Sequence, residues 1–342
     1  MIATGIYIFL VYRIGVIQFV NGEELRKRAT NQQVTDEILS PSRGTIYDSK
    51  GEALAQSIAV DTISLNPGYV KYYDGDKVEN EVIAEGVSRI LELDYNKVLE
   101  DISSEKSVVI LKRKVESDKV DELKKWMEEK SITTGINFDA DNKRIYPYKT
   151  LASNLIGFCG TDNTGQVGLE ERWNSVLTGT AGKLTTTIDV HGNAISDEYD
   201  QYVETENGSN IYLTIDTTIQ SIAEQYLENA MQENPTAKAG NVIIMNPQNG
   251  DILAMATNPY YNLNDPSSYV ATGYTKEEWE SFESAERTNK LQNLWKNKAV
   301  SDQYEPGSTF KLITSSVALE ENVVQTDTPG VFFCSRSLSC GW

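Results

Sequence analysis

Apolar and polar positions divide this chain into stretches of different period. Residues Met1 to Val20 carry a single charge, Arg13, and the run from Met1 to Tyr12 is unbroken apolar or small. At 1.5 Å per residue, that run covers roughly 18 Å of a hydrocarbon core about 30 Å thick. No basic residue precedes it, while Arg26, Lys27 and Arg28 follow. The pattern predicts a membrane anchor over 1–20, clipped of a basic cytoplasmic lead. Arg13 would snorkel to the outer interface and open a helix through Arg28. No small-residue cleavage pattern interrupts the run, so an uncleaved anchor is expected.

The rest of the chain alternates between short β patterns and helical ones. Ser40 to Gly51 has the punctuation of a linker followed by a tight strand pair, and Thr62-Ile63-Ser64-Leu65 is strand-like up to Asn66-Pro67-Gly68. Residues 77–130 are expected to be mostly helical, with Val82, Ile83, Val87, Ile90 and Leu91 on one face. Arg144-Ile145-Tyr146-Pro147 and Leu155-Ile156-Gly157-Phe158 suggest short strands around a turn. Gly165 and Gly168 frame a loop before a helix at Leu169, and turns at Gly179–Gly182 suffice to explain the glycines there. A second domain opens at Asn207-Gly208. It has a strand at 211–215, a helix capped by Asp216 and Thr217 and running to about Met231, then a hairpin of 242–245 and 252–256 across Asn249-Gly250. Both hairpin strands are apolar on both faces, so helices should cover the sheet on each side. A loop with Tyr260, Tyr261 and Pro266 then leads to a final helix from Leu312 to Leu319.

That final helix begins with the most reactive pattern in the chain, Glu305-Pro306-Gly307-Ser308-Thr309-Phe310-Lys311. Pro306 and Gly307 place Ser308 at or near its first turn, and Lys311, three residues on, shares its face. A hydroxyl beside an amine supports acyl transfer without histidine, provided the amine is desolvated enough to lose its proton. Amides of the helix start can stabilise an oxyanion. The same four-residue pattern recurs as Ser103-Ser104-Glu105-Lys106, in a charged stretch with nothing apolar after it, and there it marks a solvated surface.

Composition narrows the chemistry. The net charge of −19 argues against nucleic acid as a partner. There is one histidine, His191, in a turn sequence, so a Ser-His-Asp site or a zinc site has little to draw on, and neither a metal nor a cofactor is expected. The three cysteines are too few for a disulfide scaffold. Cys159 suits a core; Cys334 and Cys340 are either bonded or free.

Taken in order, Arg43-Gly44-Thr45-Ile46-Tyr47-Asp48 with Gly51, Arg144-Ile145-Tyr146-Pro147, Gly165-Gln166-Val167-Gly168-Leu169-Glu170, Leu213-Thr214-Ile215-Asp216 and Ala299 to Lys311 resemble the landmarks of class B penicillin-binding proteins. These are membrane-anchored D,D-transpeptidases of bacterial wall synthesis. Ser49-Lys50 stands where the family usually has a second arginine or an Arg-Asn pair before the glycine. The resemblance implies a multidomain α+β chain: the anchor at 1–20, an elongated α+β dimerisation or pedestal module at 21–205, and the N-terminal part of a serine-transpeptidase α/β-sandwich domain at 206–342.

It further implies Ser308 as nucleophile and Lys311 as general base, acting on peptidoglycan stem peptides borne on a lipid-linked wall precursor polymer. β-Lactams would be inhibitors, other wall-synthesis membrane proteins partners, and the bulk of the chain extracytoplasmic. The family's S-x-N and K-[ST]-G triplets, expected after the serine helix, are absent before Trp342; the one S-x-N match, Ser64-Leu65-Asn66, lies far upstream. The chain is therefore expected to stop within the transpeptidase domain and to turn over little by itself. A non-catalytic wall-synthesis scaffold and a penicillin-sensing receptor are the alternatives.

Overall fold

The computed structural model describes residues 34–72, 75–187 and 201–326, with scattered positions between 5 and 20. Its elements, in chain order, are β1 (Val34–Leu39), β2 (Ile46–Tyr47), β3 (Ala53–Leu65), β4 (Lys71–Tyr72), α1 (Asn80–Leu91), α2 (Tyr95–Ile102), β5 (Val109–Val115), α3 (Ser117–Glu129), β6 (Ile132–Thr134) and β7 (Ile136–Ile145). There follow α4 (Ser153–Ile156), α5 (Gly168–Arg172), α6 (Asn174–Leu177), β8 (Gly182–Thr187), β9 (Gln201–Val203), β10 (Ile211–Tyr212), α7 (Thr217–Glu233), β11 (Gly240–Met245) and β12 (Ile252–Asn258). The last are α8 (Lys276–Ser281), α9 (Ser284–Trp295), α10 (Lys298–Ser301) and α11 (Phe310–Glu320). The fold is mixed α+β. Two compact units divide at Ala299/Val300. Among the described residues no helix is long and apolar enough to cross a membrane. Most of the expected anchor, His191, Cys334 and Cys340 lie outside the described residues.

In the first unit, β3 is the long central strand. It pairs antiparallel with β7 from Gln56↔Ile145 to Leu65↔Ile136, and with β5 from Asp61↔Val115 to Leu65↔Val109. One face of this sheet is covered by α1, α2 and α3. The helical spacing expected around Val82 holds: Ile83, Val87, Ile90 and Leu91 are buried with Ile63, Leu65, Leu123 and Trp126. Each such side chain contributes about 1.5–3 kcal/mol through burial. Val109 to Val115 is a strand where a helix was expected. Its β-branched Val109, Ile110 and Val115 suit a strand, and pairing with β3 outweighs the helix formers around it.

Gly86, inside α1, has a packing reason. A Cβ there would meet the Trp126 ring at 2.0 Å. Gly86→Ala should therefore destabilise the protein by about 1–3 kcal/mol, although alanine is the better helix former. Equilibrium denaturation checks this, and a more stable variant would refute the packing argument.

A second core ties distant parts of the chain together. Ile46, Leu54, Tyr146, Ile156, Phe158 and Leu177 pack with Tyr261, Leu263 and Leu294. β10 pairs parallel with β2, Ile211↔Ile46 and Tyr212↔Tyr47. Packing thus runs continuously across positions 205/206. Leu155-Ile156, expected as strand, belongs to the single-turn helix α4. Tertiary contacts set that turn: the Asn154 side chain donates to the carbonyl of Leu294 at 2.7 Å.

The third core is small. α7 lies on one face of the β11–β12 hairpin, with Ala223 and Leu227 against Ala254 and Ala256. Asp216 caps α7 by accepting from the Thr218 and Ile219 amides, as its sequence suggests. Helices were expected on both faces of the hairpin. Among the described residues Ile243 and Met245 stay exposed. α8, α9 and α10 intervene before the serine helix, where only a loop was expected. They bury little, chiefly Trp279 and Leu294, so apolar periodicity barely marks them.

Candidate functional site

The serine-lysine segment lies in the second unit. Pro306 (φ −70°, ψ −18°) and Gly307 (φ +54°) turn the chain, and a 3-10 turn runs from Gly307 to Thr309. The left-handed conformation at Gly307 is one that a side chain would strain. Thr309 closes the turn, donating to the Pro306 carbonyl through its amide (3.3 Å) and its hydroxyl (2.6 Å). α11 follows directly.

Ser308 therefore sits in the middle of the turn, and Lys311 is the second residue of the helix, one turn further on. Gly307 and Ser308 open the 3-10 turn that leads straight into the helix, so their amides lie at its N-terminal end. At the other end Asn322 adopts φ +54°, with Val323 donating to Ala318 and Asn322 to Leu319, a Schellman closure. Ser308 and Lys311 are both exposed, as are Leu312, Ile313 and Val317. The desolvation that a basic amine requires is not supplied by the described residues of this unit. The look-alike at Ser103 behaves as expected: it follows α2 in a mostly exposed turn, where the Ser104 hydroxyl donates to the Asp101 carbonyl at 2.8 Å.

Three of the remaining sequence landmarks converge in the first unit on one buried carboxylate. Glu170 accepts from Arg43 Nε at 2.7 Å through Oε2 and from Arg144 Nε at 2.7 Å through Oε1. All three residues are buried. Arg43 also donates through Nη1 to the Asn163 carbonyl, Asn174 Oδ1 and Thr178 Oγ1, and through Nη2 to the Glu170 carbonyl. Arg144 Nη1 donates to the Gly44 carbonyl at 2.8 Å. Tyr146 and Cys159 donate to the same carboxylate. Burial, reinforced by Glu170, pushes the Tyr146 hydroxyl far up and the Cys159 thiol to about 12, so both stay protonated as donors. Cys159, expected in a core, is half-buried here and is a partner of the ion cluster.

A second junction joins two more landmarks. The Asp48 carboxylate accepts from the Lys50 and Glu52 amides through Oδ1, and from the Thr217 amide and hydroxyl through Oδ2. Lys50, the residue that departs from the family pattern, pairs with Asp216 at 2.8 Å. The β2–β3 turn is thereby fastened to the start of α7. Burial alone would raise the Asp48 carboxyl, but the Thr217, Glu52 and Lys50 hydrogen bonds outweigh it and hold the group below its ordinary value. A lowered carboxyl stabilises the folded state at neutral pH and loses that contribution as pH falls through the lowered value. Asp48→Asn should cost roughly 1–2 kcal/mol at pH 7, with the deficit shrinking once pH drops below the ordinary carboxylate range. Urea titrations across pH 2–7 check the sign.

The roles of Arg43, Arg144 and Glu170 were not legible individually. Each of three motifs carries one charged residue beside glycine or an apolar run, and that was the available signal.

Comparison with known proteins agrees with the landmarks. Residues 38–213 match the penicillin-binding protein dimerisation domain, and residues 240–332 match the penicillin-binding protein transpeptidase domain. Stage V sporulation protein D of Bacillus subtilis is 31% identical over 94% of this chain and 45% of its own length. The peptidoglycan D,D-transpeptidase FtsI of Buchnera aphidicola is 30% identical over 94% of this chain and 52% of its own. The chain thus spans about half the length of these relatives. Penicillin-binding protein 2X of Streptococcus thermophilus shares the fold at a TM-score of 0.59 and 24% identity, covering 86% of this chain and 43% of that one. PBP2 of Helicobacter pylori, solved with MreC, does so at 0.58 and 22%, covering 86% and 54%.

Proposed function

Since this chain belongs to the class B penicillin-binding proteins, we propose that it serves a serine D,D-transpeptidase that cross-links peptidoglycan stem peptides. The observation that carries this reading is the placement of Ser308 in a one-turn elbow with Lys311 a turn later, inside the segment that matches the transpeptidase domain.

In the proposed first step Ser308 Oγ attacks the carbonyl of the terminal D-Ala-D-Ala bond and Lys311 Nζ takes the serine proton. Amides of the helix start stabilise the oxyanion. The C–N bond then breaks, the leaving D-alanine takes up a proton, and an acyl-serine remains. An amine of a neighbouring stem peptide attacks that ester, forms the cross-link and frees Ser308. A penicillin follows the first step and stops at the acyl-serine. Lys311 needs cover to act as a base, and bound substrate together with chain packed over the turn would supply it.

On this reading residues 1–20 anchor the protein in the cell membrane, 21–205 form the pedestal and 206–342 the start of the transpeptidase domain. The bulk of the chain then lies outside the cytoplasm. The substrate is lipid-linked wall polymer, and other wall-synthesis membrane proteins dock on the pedestal. Incubating the protein, at its natural length, with labelled penicillin should leave one covalent adduct on the peptide containing Ser308. An unlabelled protein, or an adduct mapped to another residue by mass spectrometry, would sink the assignment.

A further inference from the structure

Two clefts adjoin in the first unit, beside the segment Asn258–Asn262. One, of about 510 Å³, is lined by residues that include Tyr260, Tyr261, Glu228 and Asp265. The other, of about 330 Å³, is lined by residues that include Lys238, Lys290, Lys298 and Tyr274. Pro259 and Ala271 line both, so the two are compartments of one groove. Among their described lining residues the first compartment holds no Lys or Arg, and the second no Asp or Glu.

The charge separation is ordered. Tyr260 donates to Glu228 at 3.4 Å. Lys290 Nζ lies 3.0 Å from the Tyr274 hydroxyl and 3.3 Å from Glu286, and its charge sits over the Tyr274 and Phe282 rings at 4.6 and 4.3 Å. Lys298 Nζ donates to the Asn293 carbonyl at 3.0 Å. In a chain of net charge −19, three lysines line this one cavity, Lys290 being paired with Glu286 as well. The half-buried Tyr260 ring beside Glu228 and Asp265 suits an ammonium group, and neighbouring lysines suit a carboxylate. The volumes fall in the range of sites for small ligands.

We propose that this groove is a non-catalytic site for a zwitterionic peptide, held with its amine in the tyrosine-carboxylate compartment and its carboxylate among the three lysines. Resting on the function proposed above, the peptide class is the uncross-linked wall stem peptide, which brings both an acceptor amine and a terminal carboxylate.

Calorimetric titration of the protein with a synthetic tetrapeptide bearing a free amine and a free carboxylate tests this. Lys238→Glu, at an exposed position, should weaken binding roughly tenfold or more, about 1.4 kcal/mol. Glu228→Gln, N-acetylation of the peptide and amidation of its carboxylate should each weaken it severalfold. Capped peptides that bind like the parent, or a Lys238→Glu protein that binds normally, would overturn the proposal. Ser308→Ala should leave this binding intact. If it abolishes binding, the peptide occupies the acylation centre and the groove proposal falls while the transpeptidase reading stands. Peptide binding by a parent protein that penicillin fails to label overturns only the transpeptidase reading.

Discussion

Glu170→Ala is expected to leave the protein largely unfolded, or to lower its stability by about 3–5 kcal/mol, the cost of stranding buried charge. Glu170 balances two guanidinium groups at 2.7 Å each, and its side chain is wholly buried. Removing it leaves Arg43 and Arg144 buried side by side with no anion. A domain of this kind has only about 5–15 kcal/mol to lose. Glu170→Gln keeps the shape and part of the hydrogen bonding but not the charge, so it should fall between parent and alanine variant. Replacing Arg43, Arg144 and Glu170 together with apolar residues of similar volume should be less damaging than Glu170→Ala alone, because no charge is then stranded. Chemical denaturation of the four proteins decides the matter. A Glu170→Gln protein within 1 kcal/mol of the parent would refute the account.

The position of this cluster explains why its loss should spread. Arg43 precedes β2, Arg144 ends β7, and Glu170 lies in α5. Arg43 also holds Asn163, Asn174 and Thr178, and so fixes the loop before α5 and the helix after it. Arg144 Nη2 is buried with no partner among the described residues, so the cluster already carries one unmet donor. A second loss would fall on a site with no slack.

Sequence alone made some of this visible and hid the rest for physical reasons. The β2–β3 and β11–β12 hairpins, the Asp216 cap and the apolar face of α1 depend on neighbours within a few residues, so local pattern suffices. The Arg43–Glu170 and Arg144–Glu170 pairs join residues 127 and 26 positions apart, and no local period encodes such a meeting. β5 lies inside the charged stretch 77–130, whose helical spacing around Val82 to Leu91 does not extend to it; pairing with β3 decides its form. α8 did carry a usable signal. Thr275 and Glu278 form a capping box, and that spacing is present in the sequence. For the serine turn, pattern and structure agree on a helix start, while the environment of Lys311 depends on what covers it.

That dependence gives the second large effect. Lys311→Arg should slow acylation by labelled penicillin by about 10²–10⁴-fold, the usual contribution of a positioned base, while leaving the melting temperature near that of the parent. Arginine keeps the positive charge and nearly the reach of lysine, yet it cannot give up its proton in a protein, so it fills the position without serving as base. Lys311 is exposed in the described structure, so folding should not register the change. On the proposed reading Ser308→Ala sets the floor, since no ester would then form. If Lys311 acted only as an electrostatic anchor for the substrate carboxylate, the arginine protein would acylate at close to the parental rate, and binding before acylation would carry any deficit. A base role predicts the opposite division: near-normal initial binding, a greatly reduced chemical step, and a rate that raising pH fails to restore in the arginine protein. Stopped-flow acylation across a pH series separates the two, and parental acylation by Lys311→Arg would remove Lys311 from proton transfer.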